Sequence, residues 1–207
     1  MRSLAGEFPL RPRKEIMEKM FSWVAIFAVS LMVATAGLGL WLGDLHGQTD
    51  PAILRWGTVH RLSGVLAALV VVLVNSMSVT YFIGTGRWCR EVVETYGLSP
   101  TFITQSKQIK RRSFPFALFG MLSVVAIVAL GGAADPAAGR QGSADWVTPH
   151  LVGGLGLAAV IAACFAAQRT RIHEQQQLIE AVMADVREVR SSRGLEVEPL
   201  AETPTVG

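Results

Sequence analysis

The sequence predicts an all-α membrane protein: a four-transmembrane-helix bundle built from two repeated helical hairpins, with a cytoplasmic extension of the fourth helix. Three observations predict it. First, 51% of the 207 residues are apolar and only 17% charged, with a mean hydropathy of +0.40, whereas soluble domains sit near 25% charged. Second, four long runs carry no charge: Met20–Gly43, Leu62–Gly86, Ser113–Ala134 and Trp146–Gln168, of 24, 25, 22 and 23 residues. A helix needs about 20 residues to cross the hydrocarbon core. Third, of 19 Lys and Arg, five precede the first run, six lie between Arg87 and Arg112, and five follow the fourth run, leaving only Arg55, Arg61 and Arg140 on the other side. This is the positive-inside pattern, with both termini cytoplasmic in a bacterial-type inner membrane. A water-soluble enzyme, a nucleic-acid reader and a large extramembrane domain are excluded. The net charge of +3 reports topology, and no basic readout face for nucleic acid is present.

The elements follow in order. Residues 1–19 form a cytoplasmic N-terminal segment, with Pro9 and Pro12 keeping its first part irregular. The first helix covers 14–43. It lacks a small-x-small cleavage site and reads as a retained anchor. An external loop, 44–57, carries Asp44, His46, Asp50 and Trp56. Helix two runs from about 58 to 84, is loosened by Gly84 and Gly86, and resumes over Arg87–Tyr96 until Gly97 stops it. Ser99-Pro100 caps a short interfacial helix ending at Lys110-Arg111-Arg112, and helix three follows. After the 134–145 loop, helix four starts near Trp146. Residues 20–170 make the transmembrane domain.

Residues 171–193 continue as a cytoplasmic amphipathic helix. Ile172, Ile179, Val182, Val186 and Val189 form one stripe. Two readings stand: an extension lying against the cytoplasmic loop, or a coil binding a membrane-complex partner or a second copy through 172–189. Residues 194–207 have no periodicity and read as a disordered tail. Cys89 and Cys164 both fall toward the reducing side, which argues against a disulfide.

The halves repeat. Trp56-Gly-Thr-Val-His60-Arg-Leu-Ser-Gly64 opens helix two, and Trp146-Val-Thr-Pro-His150-Leu-Val-Gly-Gly154 opens helix four. Asp50-Pro51-Ala52 and Asp135-Pro136-Ala137 stand upstream, and the odd-numbered helices end in Gly37/Gly39 and Gly131/Gly132. A pseudo-twofold axis along the membrane normal would relate the hairpins. It sets His60 and His150 in the first turns of diagonal helices, at one depth near the external face. Ionisable residues inside a membrane bundle mark candidate sites. Two facing imidazoles suit the two axial positions of one haem iron, with Gly64 and Gly154 making room for the macrocycle and Arg61, Arg55 and Arg140 available to its propionates. Two other readings stand beside this one. The glycines pack helices with no cofactor, or the histidines join His46 in an external Zn or Cu site. His173 reads as solvated.

With those residues in view, His60-Arg61-Leu62-Ser63-Gly64 and Thr148-Pro149-His150-Leu151 resemble the second and fourth helices of one four-helix half of haem A synthases, over roughly residues 20–170. The resemblance implies a haem b held between histidines of helices two and four. Trp56 stands where that family has a Glu, the external cysteine pair is missing, and there is one His pair, so haem binding rather than haem-modifying catalysis is implied. Four-helix membrane b-type cytochromes are a looser likeness. The expected role is electron transfer or haem handling. Asn75–Tyr81, a polar run in the inner half of helix two, either bonds helices together or lines a quinone pocket.

Overall fold

The computed structural model describes residues 14–194 and, among them, no strand. The expected irregular 1–13 segment and the tail from 195 onward lie outside the described residues. Four helices follow one another: α1 (Lys14–Leu42), α2 (Pro51–Tyr96), α3 (Thr101–Ala134) and α4 (Val147–Ser192). All four are long and apolar enough to cross a membrane. Short connections make consecutive helices antiparallel. Of the four, α2 and α4 each contact all three others and meet across the middle, so they form the diagonal pair.

Several boundaries differ from the sequence expectation, each for a local reason. Helix α2 begins at Pro51 because Asp50 caps it, accepting from the Ala52 N–H at 2.8 Å with proline at the first position. His60 therefore lies in the third turn of α2, not the first, whereas His150 is in the first turn of α4. The same Asp-Pro-Ala chemistry at Asp135 opens only a 3-10 turn, Pro136–Ala138. Helix α2 also runs unbroken through Gly84 and Gly86 to Gly97, whose left-handed backbone (φ 68) ends it as expected. Each glycine costs a helix only about 1 kcal/mol, too little to break a 46-residue ladder. The short interfacial helix and helix three are one element, α3, with Pro115 inside it.

The surface is inside-out for water. Trp23 is 71% exposed, and Leu62 and Val152 are each 65% exposed, while Asn75, Ser78, Gln168 and Gln175 are fully buried. Exposed apolar residues in this number accord with four helices apolar enough to cross a membrane. The main core gathers Phe21, Ala28, Val71, Val74, Phe82, Ile161 and Ile172. A second core lies at the end of the bundle that carries most of the Lys and Arg, the basic end. There Val182 and Val186 of α4 pack on Cys89 and Val93 of α2, flanked by Trp88, Phe102 and Ile103. Ile172, Val182 and Val186 of the apolar stripe are thus covered by the chain's own helices, whereas Ile179 and Val189 are half-buried. His173 is not simply solvated: its Nδ1 lies 3.1 Å from Glu18, which also accepts from Arg169 at 3.2 Å, bracing α1 against α4.

Candidate functional site

The opposite end of the bundle holds the two histidines. The interior stripe of α2 includes Gly57, His60, Gly64 and Ala67, of which Gly57 and Ala67 are buried and the other two half-buried. On α4, His150, Gly153 and Gly154 are half-buried in the same way. The structure brings His60 and His150 together with ring centroids 6.3 Å apart and planes at 72°.

Each ring rests on a glycine of the helix before it. A Cβ on Gly39 would come within 2.7 Å of His60 Cε1, and one on Gly131 within 3.1 Å of His150 Cε1. Gly39 and Gly131 thus admit the rings. Gly64 and Gly154 play a different part: a Cβ on Gly64 would meet only Thr35 Cγ2 at 3.9 Å, and one on Gly154 would meet nothing within 4 Å. Space is open beside both, on half-buried positions.

The two rings are not equivalent. His60 donates from Nδ1 to the carbonyl oxygen of Thr35 at 3.1 Å, which leaves Nε2 with its lone pair. The Nδ1 of His150 is buried without a partner, as is the hydroxyl of Thr35.

The arginines differ in what they touch. Arg61 donates to Asp135 at 3.0 Å and to Thr58 at 3.1 Å, tying α2 to the loop after α3. Arg140 lies over the Trp146 ring, 5.9 Å from its centroid. Arg55 is exposed in a shallow depression with Ala52, Trp56 and Val59. Trp56 stacks edge-on against Trp41. His46 is engaged elsewhere, with Asp44 on Nδ1 and Ser143 on Nε2 at 2.8 Å. The backbone N–H of His46, and then its ring, hold the Asp44 carboxyl below its usual range. Among the described residues no group of three or more His, Cys, Asp or Glu is placed to hold a metal ion. Both nitrogens of the His46 ring, the third ligand in the external Zn or Cu reading, thus face Asp44 and Ser143.

Sequence reasoning missed Thr35 and Ser143. Thr35 acts on His60 through its backbone carbonyl, which no side-chain pattern reveals. Ser143 is a buried serine in an Ala-, Gly- and Asp-rich loop, and only its burial marks it. In comparisons with protein-family models, curated proteins and solved structures, nothing matches this chain.

Proposed function

We propose that this chain is an integral membrane haem b-binding protein with His60 and His150 as the two axial ligands of one haem, and that it serves in electron transfer or haem handling within a membrane complex. The observation that carries the reading is the 6.3 Å between the ring centroids. A first-row metal holds an imidazole nitrogen at about 2 Å, and that nitrogen lies about 1 Å from its ring centroid, so two rings on one metal have centroids roughly 6 Å apart. The Thr35 contact adds to it. Metal-bound histidines almost always give their other ring N–H to a carbonyl, carboxylate or water, and His60 has that partner in place. Open space at Gly64 and Gly154 suits a flat macrocycle.

When bound, the haem supplies a one-electron iron couple. Held by both histidines, the iron would be suited to passing an electron rather than to binding a substrate. Arg61, one residue from His60, would share its guanidinium between Asp135 and a propionate, and Arg55 and Arg140 are the other cations at this end. The basic end is assigned to the cytoplasm from the charge partition. The two hairpins then read as parallel repeats, supported by the matched placement of Gly39 on His60 and Gly131 on His150.

The competing reading is a cofactor-free scaffold, because edge-to-face ring pairs also have centroids about 4.5–7 Å apart. Purification from cells supplied with haem decides between them. A Soret band and a positive pyridine haemochrome assay are expected at about one haem per chain. A colourless protein that takes up no added haemin overturns the proposal.

A further inference from the structure

The basic end carries a second site, separate from the histidines. A cavity of about 250 Å³ opens between α2 and α3, with Ile83 and Gly86 at its apolar side and Arg87, Arg90, Lys107 and Lys110 around it. Its depth follows from the sequence. Gly86 is the last residue of one uncharged run, and Ser113, just beyond Lys110, is the first of the next. The cavity therefore straddles the level at which hydrocarbon gives way to headgroups.

Its charge is largely uncompensated. Arg87 spends one N–H on Glu91 at 2.8 Å, and that pair is exposed on both sides. Among the described residues Arg90, Lys107 and Lys110 have no ion-pair partner. Glu91 and Glu94 are the only acids on α2 below the apolar run, and α3 has none before Ser113. The floor is firm: a Cβ on Gly86 would sit 3.7 Å from Ser106 Oγ, and Ser106 is held by the Gln175 amide at 3.1 Å. Four cations around one cavity in a water-facing surface invite a soluble anion. Here the cavity also has a hydrocarbon wall at Ile83, 54% exposed.

We infer that this cavity binds the headgroup phosphate of an anionic glycerophospholipid, with an acyl chain lying along Ile83. Basic pockets between transmembrane helices take such headgroups, and each cation near a membrane surface contributes a few-fold in affinity. The inference rests on the membrane-spanning reading and is independent of the haem.

The test uses the full chain in neutral detergent, titrated with phosphatidylglycerol, phosphatidylcholine or inorganic phosphate and followed by native mass spectrometry and thermal melting. Phosphatidylglycerol is expected to bind and to raise Tm. Lys107→Gln with Lys110→Gln is expected to weaken that binding roughly 10- to 30-fold. The charge-keeping pair Lys107→Arg and Lys110→Arg should retain it, and Arg90→Gln alone should weaken it several-fold, so the answer does not depend on one variant folding. Equal stabilisation by phosphatidylcholine, or by inorganic phosphate at the same concentration, overturns the lipid assignment. Undiminished phosphatidylglycerol binding in the Lys-to-Gln and Arg90→Gln variants overturns the site.

Discussion

His60 gives its Nδ1 hydrogen to the carbonyl oxygen of Thr35 at 3.1 Å, and no such bond orients His150, whose Nδ1 is buried without a partner. The repeat alone predicts that the two histidines behave alike. This relationship predicts that they do not. A ring fixed in tautomer and direction is the stronger ligand, and losing an orienting partner typically costs about 10- to 100-fold in metal affinity. His150→Ala is expected to keep haem on His60 as a high-spin iron that binds carbon monoxide. His60→Ala is expected to lose most of the haem. Absorption spectra with a haemochrome count check both, and the reverse order would remove Thr35 from the argument.

The glycines give a ranked prediction. Alanine at Gly39 forces the His60 ring to move, because its Cβ would lie 2.7 Å from Cε1. Alanine at Gly131 presses less, at 3.1 Å from His150. Alanine at Gly154 meets nothing. Haem content is expected to fall in the order Gly39→Ala, then Gly131→Ala, with Gly154→Ala close to the parent. A bulkier Gly154→Leu should fold without haem but exclude the macrocycle, since overpacking costs about 1–3 kcal/mol only where the space is already filled. Equal haem retention in Gly39→Ala and Gly154→Ala would mean that the ring contact does not position a ligand.

What the sequence disclosed and what it hid separate along physical lines. The four spans were legible because a bilayer imposes length and charge on each helix independently. The approach of His60 to His150 was foreshadowed by the matched Trp–His–Gly spacing of the two segments that carry them. The Thr35 contact was not, since any residue offers the same carbonyl. The continuity of α2 through Gly84 and Gly86 was hidden because local propensity weighs little against neighbours that hold both halves of the helix. The stripe of the α4 extension announced an apolar face but left two covers open, the 87–112 segment or a partner, and Val182 and Val186 pack on Cys89 and Val93 of that segment. Arg61 stood out as an arginine against the charge trend, yet its partner Asp135 lies in another hairpin and no local pattern links them.

Asn75 and Gln168 supply a prediction about stability. Both are fully buried, and the Gln168 amide donates to the Asn75 side-chain oxygen at 2.9 Å. Asn75 also donates to the Val71 carbonyl at 2.8 Å, and Gly120 leaves room for it. This arrangement spends the amide of the polar run on joining α2 to α4. Asn75→Ala strands Gln168 and is expected to destabilise the bundle by about 1–3 kcal/mol. A double-mutant cycle with Gln168→Ala should give a coupling of roughly 0.6 kcal/mol, the average for such bonds in membrane bundles, and at most about 1.7. Unfolding in mixed detergent measures it, and additive effects of the two substitutions would show that the bond contributes nothing to the pairing.

The α4 extension separates internal packing from partner binding through two neighbouring residues. Val182 is fully buried in the core it shares with Cys89, whereas Ile179, three positions earlier, is only half-buried. A carboxylate at 182 would be buried among Cys89, Val93 and Val186, so Val182→Asp is expected to cost on the order of 3 kcal/mol. Ile179→Asp should stay within about 1 kcal/mol of the parent. The local readout is Cys89, whose side chain is buried in the same cluster. In a Cys164→Ser background, maleimide labelling of Cys89 should be slow in the parent and in Ile179→Asp, and fast in Val182→Asp. If the stripe instead served a second copy or a partner helix, Ile179→Asp would reduce the size of the complex on native gels while Cys89 stayed protected. The burial of Val182 and Val186 against α2 predicts the opposite: a complex of unchanged size and a thiol exposed only by the substitution at 182.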